Sequence, residues 1–216
     1  MRFARSRCYC IRDATSHRFV AIQMLISLRP HASSPESGTA VQFDFGLVRG
    51  IAYRRELQLR YLVMGRDFPP LEPRRGHFAD GLWQHTCFEL FVAASPLPTR
   101  EQPYREFNFS LQGDWAAYTF ASYRSGMVSL NELPPPQTNL RHTTMGLEFE
   151  VSLDATAWLP GPISSCRLGP AAVIEDDCGA LAYWSAHHAA ASADFHDPRG
   201  FVVEWPPATS HPEPNL

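Results

Sequence analysis

The chain has 216 residues, of which 44 % are hydrophobic and 12 % aromatic, so it can bury a real core and is not globally disordered. Its formal charge of −3 and pI near 6.3 provide no basic field for nucleic acid or an anionic membrane. The basic side chains other than histidine are all arginine, which excludes Schiff-base chemistry and a phosphate-loop lysine.

Residues 1–23 carry Arg2, Arg5, Arg7, Arg12 and Arg18 without a sustained apolar core. The apolar segment 19–28 is broken by Gln23 and Ser27, a poor match to a secretory signal. Met24 is therefore expected as the natural start, residues 1–23 as extra or disordered, and the location as cytoplasmic. Cys8 and Cys10 have C-x-C spacing but no second pair, and the five scattered cysteines do not form a disulfide framework. No apolar run is long enough to cross a membrane.

Strand-like runs then dominate. Residues 41–47 and 57–63 alternate apolar with polar, and 87–93, 105–111 and 115–123 follow. The run 147–153 alternates almost without fault, and 167–175, 181–186 and 201–205 complete the set. Between them stand Pro69-Pro70, Pro134-Pro135-Pro136 and Pro206-Pro207, which do not belong inside central strands. Gln112-Gly113-Asp114 is short enough for a hairpin. The alanine-rich stretch 186–193 reads as loop or short helix. Many short strands separated by turn chemistry predict an all-β sandwich or barrel, with 24–205 as the domain and 206–216 as a disordered Pro-rich tail.

Strand parity exposes the candidate chemistry. In 87–92, Phe88, Leu90 and Val92 share one face while Cys87, Glu89 and Phe91 share the other. Trp83 stands six residues before Glu89, so in an extended chain an indole and a carboxylate emerge together. In 106–111, Phe107, Phe109 and Leu111 form the apolar face, leaving Glu106, Asn108 and Ser110 on the polar one. Amide, hydroxyl and carboxylate suit a neutral polyol better than bulk solvent, because together they donate and accept in pairs. Trp115 and Trp184 are further aromatic candidates, each set against ordinary core packing.

Catalytic signals are thin. No nucleophile elbow, phosphate loop or dinucleotide glycine pattern occurs. Glu89 and Glu106 have the residue types of a glycosidase pair, but each falls in a regular strand and their separation is unreadable. His85 and Cys87 share a face, yet a lone cysteine in an apolar strand is usually an inert hydrophobe. His187, His188 and His196 lie beside Asp194 and Asp197 without zinc-site spacing. They read as loop histidines bonded to carboxylates, and 194–198 as a turn braced by aspartates.

Three blocks carry a resemblance: DGLWQHTCFELF from Asp80, YREFNFS…GDWAAYTFASYR from Tyr104, and VIE…YW…HH…DFH from Val173. With the intervening strands they make residues 24–205 similar to DOMON-like domains related to family 9 carbohydrate-binding modules, in a bacterial branch bearing the first block. The resemblance implies an immunoglobulin-like or jelly-roll β-sandwich of two antiparallel sheets, binding sugar or haem without catalysing a reaction. It implies a stacking tryptophan at Trp83, a hydroxyl-binding glutamate at Glu89, a polar pair at Asn108 and Ser110, and a second stacking ring at Trp184. Two positions depart from the family pattern: Thr86 replaces an aspartate, and Asn108 stands where sugar binders usually carry arginine. In haem-binding members a methionine and a histidine are axial ligands, roles that would fall to Met145 and a late histidine.

The expected function is thus a non-catalytic module for a saccharide or similar small polar ligand, with no metal, cofactor, nucleic acid or membrane partner. The alternative is a haem or redox-cofactor module. The predicted ligand-binding residues are Trp83, Glu89, Asn108, Ser110 and Trp184.

Overall fold

The computed structural model describes residues 25–49, 55–65, 68, 76–160 and 166–205. The expectations for Met24, residues 1–23, Cys8, Cys10 and the tail 206–216 lie outside these residues. What is described is a sandwich of two antiparallel sheets. One sheet contains β1 (Ile26–Ser27), β3 (Ala40–Arg49), β4 (Arg55–Met64), β9 (Gln137–Thr143) and β10 (Gly146–Asp154), in the order β1-β3-β4-β10-β9. The other contains β2 (Arg29–Pro30), β5 (Cys87–Ala93), β6 (Tyr104–Ser110), β7 (Trp115–Phe120), β8 (Val128–Ser129), β11 (Cys166–Glu175) and β12 (Leu181–Ser185). Its order is β2-β12-β11-β5-β6-β7-β8, and β13 (Val203–Trp205) adds to β11.

The alternation in the sequence produces this arrangement directly. Phe88, Leu90 and Val92 of β5, Phe107 and Phe109 of β6, and Leu168, Ala172 and Ile174 of β11 point inward. They meet Leu59, Tyr61 and Val63 of β4 and Leu147, Phe149 and Val151 of β10. The Phe88 ring stacks on Phe149 at 5.0 Å and lies 4.8 Å from Tyr61, across the interface between sheets. Tyr61 also donates its hydroxyl to the Glu89 carbonyl at 2.7 Å, a buried bond that ties the sheets together.

The expected strands are all present, with boundaries displaced by up to a few residues. The strand β9 is new: its sequence QTNLRHT is mostly polar because it is an edge with both faces largely wet. Residues 186–193 form loop, and the helix is elsewhere, in α1 (Ala155–Trp158). Asp154 caps it by accepting from the Thr156 N–H at 2.9 Å. Pro170 sits inside the central strand β11, contrary to the usual rule. It falls where β11 changes outer partners, between Leu168 opposite Val203 and Ala171 opposite Ser185, so the ladder is already interrupted there.

Trp158 of α1 is wholly buried, packs against Phe107, Phe109 and Trp115, and donates its indole N–H to the Pro134 carbonyl at 3.1 Å. Trp158→Ala should therefore cost about 3–5 kcal/mol of stability, read as a lowered urea midpoint with an unchanged slope.

Candidate functional site

The outer face of the eight-stranded sheet is not a solvated surface. Every residue of β5 is buried, including Cys87, Glu89, Phe91 and Ala93 on the side away from the sandwich core. A second layer covers this face. It is made from the segment around Phe78 to Gln84, the turn after β7 and the loop 186–202. Beneath it lies a cavity of ≈ 460 Å³, within the range of small-molecule sites.

Register builds the cavity floor. Ala171, Glu89, Asn108 and Ala116 lie in one row across β11, β5, β6 and β7. In the next row Gly169, Phe91, Glu106 and Tyr118 follow. Glu89 and Glu106 are thus diagonal neighbours on adjacent strands, close enough for their side chains to interact. Ala171 and Ala116 at the ends of the first row pack into the covering cluster, while Glu89 of that row and Phe91, Glu106 and Tyr118 of the next line the cavity. At Gly169 a Cβ would meet the Phe201 ring at 2.6 Å.

Trp83 and Glu89 both line this cavity, but not through shared strand parity. Trp83 belongs to a single 3₁₀ turn, Leu82–Gln84, entered through Gly81 at φ 76°. The extended chain expected from 83 to 89 is therefore corrected: the turn carries the indole to the rim, where it is 37 % exposed and meets Tyr118 edge-on at 5.9 Å. Glu89 is only 3 % exposed, with Oε1 buried and unpartnered. Asn108 lies fully buried beside it and donates its amide to Glu106 Oε1 at 2.8 Å, leaving its own Oδ1 unpaired.

The two other predicted residues are elsewhere. Trp184 is 4 % exposed and packs in the inter-sheet core, its partner Ala172 being an inward residue. Its neighbour Tyr183 has the opposite parity and reaches the cavity instead. Ser110 borders a separate cleft with Asp80, His85, Thr86 and Glu175, and its hydroxyl accepts from the Asp114 N–H at 3.1 Å. Trp115 is likewise core. Met145 is exposed in the turn between β9 and β10 of the opposite sheet, so it does not share a site with His196. No cluster of three or more histidine, cysteine, aspartate or glutamate side chains suited to a metal ion occurs among the described residues.

The rest of the wall comes from residues with no local sequence signal. Arg124 sits in the turn after β7 at φ 52°, a left-handed conformation uncommon outside glycine. Asp194 holds its guanidinium at 2.9 Å and also accepts from the Tyr123 hydroxyl. His196 packs edge-on against Phe91 and Phe120. The Tyr104 oxygen accepts from the Arg124 N–H and is hydrogen-bonded to His196 Nδ1 at 2.8 Å. His196 Nε2 lies 3.7 Å from Glu106 Oε2. The expected braces are present too: Asp194 accepts from the His196 N–H, and Asp197 from the Arg199 N–H.

Burial governs the electrostatics. It pushes the Glu89 carboxyl well above the carboxylate range, with Glu106 adding to the effect. It raises Glu106 to about 7 against the opposing pull of Asn108 and Arg124. It lowers His196 to about 4, Arg124 reinforcing the shift, so the ring is neutral at physiological pH. Near neutrality the carboxyl pair therefore holds protons that isolated glutamates would have lost. A carboxyl whose pKa is raised on folding contributes its stability at low pH and loses it as pH rises through the folded value. His196, depressed below its unfolded value, acts in the opposite sense between about 4 and 6.5. Above that window the carboxyls act without it. Stability should fall by about 1 kcal/mol between about pH 6.5 and 8 through Glu106 alone, and Glu106→Gln should flatten that slope in urea titrations at each pH.

No protein-family model matches the chain, and neither does any curated protein sequence. Solved structures do match. A family 9 carbohydrate-binding module (CBM9) from Caldicellulosiruptor kristjanssonii in complex with cellotriose aligns at 14 % identity over 84 % of this chain and 80 % of that one, with a TM-score of 0.48. A CBM9 from the same organism in complex with glucose gives 11 % identity, 82 % of each chain and a TM-score of 0.41. A putative carbohydrate-binding protein from Bacteroides uniformis ATCC 8492 aligns at 14 % identity over 81 % of this chain and 83 % of that one, with a TM-score of 0.52. This last likeness is one of fold, and it places the chain among two-sheet β-sandwiches of this architecture.

Proposed function

We propose that the domain is a non-catalytic saccharide-binding module of the DOMON-like, family 9 type, spanning residues 24–205. The observation that carries this reading is the pairing, in one ≈ 460 Å³ cavity, of a partly exposed indole at Trp83 with a buried, unpartnered carboxylate oxygen on Glu89. A sugar ring has an apolar C–H face and a rim of hydroxyls. Trp83 offers a flat apolar surface to the first, while Glu89 and Glu106 accept from the second. A protonated carboxyl in the pair also donates, so both roles of a hydroxyl are matched. The three blocks that resemble the family support the reading, as does the likeness in fold to the putative carbohydrate-binding protein from Bacteroides uniformis. Trp184, packed in the core, has no part in it, and Tyr183 supplies the second aromatic wall.

Two experiments test this. Trp83→Ala should weaken saccharide binding by about 1 kcal/mol, roughly fivefold, while leaving the thermal midpoint nearly unchanged because the ring is partly exposed. A variant that binds a glycan array as well as the parent protein overturns the proposal. Tyr183→Ala should weaken binding of the same glycan, whereas Trp184→Ala should lower stability by about 3–5 kcal/mol. Calorimetric titration beside urea denaturation separates the two outcomes.

A further inference from the structure

We propose that the ligand carries a basic amino group, and that its ammonium sits against Glu89 and Glu106 on the cavity floor. The inference rests on the saccharide reading and makes the ligand an amino sugar with a free amine.

Hydrogen-bond accounting points to it first. Among the described residues, the buried side-chain atoms without partners on this sheet face are Glu89 Oε1 and, beneath the cavity lining, Asn108 Oδ1, and both are acceptors. The Asn108 amide is already committed to Glu106 Oε1 at 2.8 Å. Apart from a carboxyl proton, the floor therefore offers acceptors. An ammonium supplies three and brings no lone pair, whereas each hydroxyl supplies one donor together with an acceptor that needs its own partner.

Charge gives the second argument. Glu89 and Glu106 are 3 % and 5 % exposed, and among the described residues no arginine forms an ion pair with either. The chain has no lysine. Among the described residues lining the cavity, the basic side chains are Arg124 and His196. Arg124 is paired with Asp194 at 2.9 Å, on the rim side. His196 is hydrogen-bonded to Tyr104 through Nδ1, and its Nε2 stays 3.7 Å from Glu106, beyond a good hydrogen bond. Burial without a paired cation keeps protons on these carboxyls near neutrality, and an ammonium beside them stabilises the ionised form. The walls agree. Trp83, Phe91, Tyr118 and Phe120 turn aromatic rings on the same space, and a cation in a desolvated aromatic site gains from the ring quadrupoles.

The test uses the whole chain in calorimetric titrations at neutral pH. Glucosamine, galactosamine and mannosamine are each compared with the parent hexose and the N-acetyl derivative, and ethanolamine serves as a non-sugar amine. At least one hexosamine should bind tenfold or more tighter than both of its neutral counterparts. Glu89→Gln and Glu106→Gln, close in shape to the parent side chains, should each reduce that ratio towards one while circular dichroism stays native. Neutral hexoses binding as tightly as the hexosamines would overturn the inference and leave the saccharide reading standing. Ethanolamine binding as tightly as a hexosamine, with neutral sugars silent, upholds the ammonium seat and overturns the saccharide reading. No binding by any of these ligands overturns both.

Discussion

Burial of the central strands of the eight-stranded sheet on both faces is the constraint from which the rest follows. A sheet in a sandwich ordinarily turns one face to the core and the other to water. Here β5 has no exposed residue, because a layer of turns and loops covers its outer side. Phe88, Leu90 and Val92 hold the sandwich together, and Phe91, Tyr104, Phe120 and Phe201 hold the covering layer down. The cavity is the gap left over Glu89, Phe91, Glu106 and Tyr118, where the cover does not close. Tyr61 links the layers, since its hydroxyl bonds the carbonyl of the residue whose side chain faces the cavity.

This arrangement fixes the character of the site. Carboxyls on an ordinary outer face would be solvated and ionised. Under the cover, Glu89 and Glu106 lose water and gain protons, while the same desolvation strips His196 of its charge. Ion pairs hold the covering layer beside it, Arg124 with Asp194 at the cavity wall and Arg100 and Arg199 with the buried Asp197 farther off. The floor therefore carries two acids whose charged forms burial disfavours. Local destabilisation of this sort is expected where binding energy is to be gained.

Much of the fold was legible from residues alone. The alternation in 57–63, 87–93, 105–111 and 147–153 has one dominant physical cause, burial of every second side chain, so parity and strand position agree with the structure. Edges were less legible: β9 escaped because neither of its faces is buried enough to demand apolar residues. Parity put Glu89 and Asn108 each on the outward side of its own strand, but their pairing and the diagonal approach of Glu106 needed strand order and register, which no local signal sets. Trp83 reached the expected place by another route, a turn instead of a strand. Trp184 and Tyr183 show the limit of residue type as a guide. Adjacent aromatic side chains point to opposite faces, and only the partner strand decides which one enters the core.

The sequence by itself determined an all-β chain of sandwich or barrel type, the inward residues of its long strands, and the side of β5 on which Glu89 emerges, because these depend on a period of two between chain neighbours. Only the tertiary structure decided that the strands would form two sheets, that this side of β5 would be roofed, and that Arg124, Tyr183 and His196 would complete the wall. Those outcomes arise between segments up to about a hundred residues apart in the chain, as in the Tyr104–His196 bond. They depend on how covering loops settle onto a finished sheet, for which no pattern of neighbouring residues provides a rule.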